Sequence, residues 1–155
     1  MRQIFNRYLR TLSKTPTKGF TLLELIIVMV VMGILGAIAL PSILNQSTRA
    51  REAQAQSMVG AVNRAQQAYR LDSAEFANSM AVLTVNVPSS TEMYTFAFGT
   101  TNSTLAEYEA QPTNGDLRAF TGCARADFSN SVTTTSAEIL QSPAGGGSPA
   151  TPPTC

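Results

Sequence analysis

The segment from Phe20 to Leu40 holds 21 residues and one charge, Glu24. As an α-helix rising about 1.5 Å per residue it extends roughly 31 Å, close to the hydrocarbon thickness of a bilayer. A chain carrying such a run must place it in a membrane or pack it against other apolar surface. An ordinary secretory signal has a shorter apolar core, with its small-residue cleavage site after that core. Here the run is longer and the small residue, Gly19, precedes it.

Glu24 is the unusual part of the run. A carboxylate inside a membrane helix costs about 2.5–3.5 kcal/mol on insertion scales, so it normally has a partner and a purpose. A simple anchor needs no such acid. Cleavage between Gly19 and Phe20 would supply the partner. It creates an α-amino group, cationic with a reference pKa of about 8, one helical turn from Glu24. An acid there is also favoured by the helix dipole.

The ordered set Lys18-Gly19-Phe20-Thr21-Leu22-Leu23-Glu24 and the apolar run behind it resemble the processing site of type IV prepilins. The resemblance covers about 25 residues, Lys18 to roughly Ser42. It implies a basic leader, with Gly19 read by a prepilin peptidase, cleavage after it, and N-methylation of the new first residue, Phe20. It implies that Glu24 pairs with the N-terminal amine of a neighbouring subunit during assembly. Gly33, Gly36 and Pro41 match the small and helix-breaking residues of the same segment in pilins, where a helix can bend or melt. The runs Tyr-Thr-Phe-Ala-Phe-Gly and Leu-Arg-Ala-Phe-Thr-Gly resemble the cyanobacterial branch of that family.

Charge divides at the same place. Arg2, Arg7, Arg10, Lys14 and Lys18 precede Phe20 with no acid among them, which predicts a cytoplasmic leader by the positive-inside rule. The remainder keeps six basic residues against all ten acids. An acidic mature chain argues against a standing sequence-independent grip on nucleic acid. Residues 1–17 are compatible with a short amphipathic helix ended by Pro16, or with no structure at all.

Histidine is absent, which removes the commonest general base and the commonest metal ligand. Two cysteines, Cys123 and Cys155, are too few for a structural zinc site. The expectation is no enzyme, no metal and no cofactor.

Beyond Pro41 the pattern stays helical. Ala55, Met58, Val62, Ala65 and Tyr69 form an apolar stripe, with Asn63, Gln66 and Arg70 among the polar residues expected mostly off it. One helix, about Phe20 to Leu71 with a flexible middle, is expected to face lipid or other subunits with its first half and a head with its second. A connecting loop follows, with Phe76, Met80 and Leu83 as core anchors. Three strands are expected at Met93–Phe98, Leu105–Ala110 and Leu117–Thr121, with Asn114-Gly115 as a tight hairpin between the last two. Asp127–Ile139 is rich in serine and threonine, with no strand expected there; Ser142–Thr154, rich in Gly, Pro, Ala and Ser, is expected as a surface loop tethered by the cysteine at its end.

The expected class is α+β: a long N-terminal helix on an antiparallel sheet, the pilin fold that the resemblance implies. The division is leader 1–19, membrane or filament-core helix 20–41, amphipathic helix 42–71 and head 72–155. Exported proteins keep disulfides, and pilins carry a C-terminal one, which implies Cys123–Cys155. Two free thiols or a bond between chains are the alternatives. The resemblance implies an inner-membrane subunit pool and an extracellular fibre. The implied partners are copies of itself, minor pilins, prepilin peptidase and the assembly machinery. The alternatives are a pseudopilin of type II secretion, a minor pilin, or a DNA-uptake receptor, the last disfavoured because only Arg118 and Arg125 are basic past the helix. Motility, adhesion and competence stay open.

Overall fold

Thr21 opens the long helix α1 (Leu22–Asp72). A computed structural model describes residues 19–129, 132–144 and 147–155; the expected leader helix lies outside them. The chain separates into two units, residues 1–42 and 43–155.

In the first unit, α1 runs unbroken through Gly33, Gly36 and Pro41. The large apolar side chains here stand exposed among the described residues: Phe20, just before the helix, is 80% exposed, Met29 69% and even Val28 47%. Water-facing apolar surface on this scale is untenable for a free monomer. The span is long and apolar enough to cross a membrane by length and composition.

In the second unit, helix residues 43–72 lie on a four-stranded antiparallel sheet: β1 (Tyr94–Thr101), β2 (Leu105–Pro112), β3 (Phe120–Ser129) and β4 (Val132–Gln141), in that spatial order. The alternation read in β1 holds, with Tyr94 and Phe96 buried and Thr95 and Ala97 exposed, because successive side chains in a strand point to opposite faces. Pairing aligns Phe98 with Tyr108, Tyr108 with Gly122, and Gly122 with Ile139 in one row across the sheet. The core joins Ala55, Val59 and Val62 of the helix to Tyr94, Phe96, Tyr108, Ala110 and Phe120. A Cβ on Gly122 would stand 2.6 Å from Val59 Cγ1, so the helix approaches β3 this closely only because no side chain intervenes.

Four expectations need correction. The Ser/Thr-rich stretch contains a strand, β4, paired with β3 along its whole length. Its threonines suit a pleated surface, but with Thr133, Thr134 and Ser136 all exposed no apolar alternation announces it. The third expected strand starts later, at Phe120, leaving Leu117 and Ala119 buried in a loop. Asn114-Gly115 is not a two-residue hairpin: Leu117 N–H donates to Asn114 O, making an ordinary turn within a longer connection. The buried helix face also includes Asn63, Gln66 and Arg70, because the head supplies each with hydrogen-bond partners. Phe76 and Leu83 are buried as expected, and Met80, opening a short 3₁₀ turn (Met80–Val82), packs against the core.

Candidate processing and assembly site

Gly19 and Phe20 stand outside the helix and are exposed. Apart from the adjoining residues, no atom of the described residues lies within 4 Å of where a Gly19 Cβ would be, so packing among them does not require glycine there. Glu24 N–H donates to Thr21 Oγ1 at 3.2 Å, and Leu25 N–H donates to Thr21 O at 3.2 Å. Thr21 is thus the N-cap and Glu24 the third residue inside, the spacing of a capping box. The Thr-x-x-Glu signal is present in the sequence but is overshadowed by the cleavage motif. Glu24 sits in the first turn of α1, where the helix dipole favours negative charge. Gly33 and Gly36 likewise have open space where a Cβ would go.

The structure thereby places Gly19, Phe20 and Glu24 together at one helix start, with Gly33, Gly36 and Pro41 further along that helix. Cys123 and Cys155 lie in the head, joined by a disulfide with Cα atoms 5.9 Å apart.

Cys155 is gripped by more than sulfur. Its N–H donates to Glu107 Oε1 at 2.8 Å, and its carbonyl accepts from the Arg125 guanidinium at 2.7 Å. The other Glu107 oxygen accepts from Thr100 N–H at 2.9 Å. Burial pushes the Glu107 carboxyl up, but the N–H groups of Cys155 and Thr100, with Arg125 nearby, outweigh it and hold the group below the ordinary range. Glu109 moves the other way, raised by burial and by the Glu107 charge. The segment from Ser142 onward meets the head at more than one described point. Ser142 and Ala119 exchange bonds, and a Cβ on Gly115 would stand 2.6 Å from Ser148 N.

Three polar side chains of α1 fasten the head. Gln66 both donates to Ala77 O at 2.6 Å and accepts from Ala77 N–H at 2.9 Å. Asn63 donates to Glu138 O at 2.9 Å. Arg70 donates to Ser73 O and Ser103 O and lies over the rings of Phe76 and Phe128. Reading the sequence missed all three, because their partners lie up to 75 positions away. Burial, and secondarily the Glu52 charge, raises the Tyr94 hydroxyl, which donates to Arg118 O at 2.8 Å. Among the described residues no group of three acidic or thiol side chains is placed to hold a metal.

Two family models match the chain. A prokaryotic N-terminal methylation motif covers residues 15–40, and a model described as type IV pilin-like G and H covers residues 52–155. Two curated relatives, both fimbrial proteins of Pseudomonas aeruginosa, are 36% identical over 90 residues, which is 58% of this chain and 53% of each relative. The chain thus spans about half the length of the curated relatives it matches. No solved structure matches it significantly.

Proposed function

Because the chain belongs to the type IV pilin-like family, we propose that it is a structural subunit that polymerises into a surface fibre after cleavage behind Gly19. The observation that carries this reading is the helix start: an exposed Gly19-Phe20 junction, Glu24 in the first turn, and beyond it an apolar helix whose large side chains stand exposed among the described residues.

The basic leader holds the precursor's N-terminus in the cytoplasm while the head is exported. A prepilin peptidase cuts after Gly19 and methylates the Phe20 amine, which stays cationic. The subunit waits in the inner membrane by residues 20–41. Assembly machinery extracts it, the apolar helices bundle, and Glu24 of the incoming subunit pairs with the Phe20 amine of a neighbour. In a core free of water that pair offsets the cost of burying each charge. Gly33, Gly36 and Pro41 supply local flexibility as the helix exchanges lipid for protein. Minor pilins share the fibre, and no nucleic acid is bound directly.

Replacing Glu24 with Gln tests this. Cleaved protein is expected to accumulate in membranes, while fibres sheared from cells lose it. Unchanged recovery in the sheared fraction would contradict the pairing role of Glu24.

A further inference from the structure

We propose that the solvent face of α1 between residues 46 and 71 docks against the acidic head of a second copy of this chain. This rests on the fibre reading above and names a contact between neighbouring heads.

The chain separates its charges sharply. Residues 43–71 carry four arginines against Glu52 alone, whereas residues 72–155 carry eight carboxylates against Arg118 and Arg125. At about 100° per residue, Arg49 and Arg64 fall about 60° apart, away from the face that buries Val59, Val62 and Gln66. Both are exposed, and the exposed Ala50, Ala53 and Ser57 between them are small, which permits close approach. The single ion pair among the described residues is Arg125–Glu138, so neither Arg49 nor Arg64 meets a carboxylate within the described part of the chain. Glu52, which sits among them in sequence, is occupied by Arg118 N–H.

The head retains the opposite charge. Glu107 is committed to Cys155 and Thr100, and Glu138 to Arg125. Asp72, Glu75 and Asp127 remain exposed. Each neighbours a residue that the buried Arg70 draws together, namely Ser73, Phe76 and Phe128, and Arg70 itself is spent on two carbonyls and two rings. A heterologous contact requires two different, complementary patches on one molecule, and repeating it builds an open filament. Charge matching of this kind fixes register and partner choice more than affinity.

The test uses the full-length chain in cells from which surface fibres are sheared, measuring sheared protein against the cleaved membrane pool. Three variants are compared with the unaltered chain: Arg49→Glu with Arg64→Glu, Asp72→Lys with Glu75→Lys and Asp127→Lys, and all five changes together. Each partial reversal is expected to cut sheared protein at least about tenfold with the membrane pool intact, and the full swap to restore most of it. Raising the salt is expected to loosen unaltered fibres, and those formed by an Arg49→Gln, Arg64→Gln variant much less. Unchanged fibres in the helix reversal, or a full swap no better than its parents, would overturn the proposal. Absence of the unaltered chain from the sheared fraction would instead refute the fibre reading itself.

Discussion

The Cys155 N–H donates to Glu107 Oε1 at 2.8 Å across 48 positions of sequence, beside the disulfide that joins Cys155 to Cys123. The end of the head is therefore closed twice, once covalently and once by a charge-assisted hydrogen bond. The two closures fail under different conditions.

The hydrogen bond depends on pH. A carboxyl held below its ordinary pKa in the folded state stabilises the fold above its unfolded pKa, and that contribution is lost as pH falls through the folded value. Glu107→Gln should therefore lower neutral-pH stability by about 1–3 kcal/mol, and the gap to the unaltered protein should close on acidification. Thermal unfolding of the detergent-solubilised chain across pH measures this. A gap that widens at low pH would contradict the assignment.

Glu109 should behave oppositely. Its carboxyl is raised by burial and by Glu107, so its charged form opposes folding at pH above the folded pKa, and this penalty is absent below the unfolded value. Glu109→Gln is expected to raise the melting temperature at neutral pH and leave it unchanged in acid. In a Glu107→Gln background the gain should shrink, which a double-mutant cycle reads directly.

Opening the covalent closure should cost more. In the chain-entropy model a loop of about 33 residues contributes roughly 3–4 kcal/mol. Denaturant unfolding with and without reductant is expected to show that loss. With Glu107 and Arg125 still in place, the reduced head is expected to remain folded in native buffer.

The close approach at Gly122 is a packing prediction. Gly122→Ala places a methyl group against Val59 Cγ1, and overpacking of this kind costs about 1–3 kcal/mol. Combined with Val59→Ala, the total loss should be smaller than the sum of the two single losses. Strict additivity, measured by denaturant unfolding, would show that the cost does not run through Val59 and would assign it to Asn63, whose Oδ1 lies 2.5 Å from the same position.

What the sequence revealed follows from how local each signal is. The helix start, the apolar run and the alternation of Tyr94, Phe96 and Phe98 are written in neighbouring residues and were legible. β4 was not, since its exposed threonines satisfy strand geometry without alternating polarity. Asn63, Gln66 and Arg70 are polar, and residue type alone puts them off the apolar stripe. Their burial depends on carbonyls of Glu138, Ala77, Ser73 and Ser103, most of which only the folded head brings near. Glu107 was silent for the same reason: nothing near it in sequence announces Cys155.

In the proposed function Phe20 becomes the first residue of an assembled subunit. Mass spectrometry of the terminal peptides from sheared surface fibres, without reduction, tests it most directly. The expected result is abundant protein beginning at an N-methylated Phe20, with Cys123 linked to Cys155. Cleaved protein confined to membranes would move the chain to a pseudopilin or minor subunit. Protein still carrying Gly19 and its leader would contradict the claim altogether.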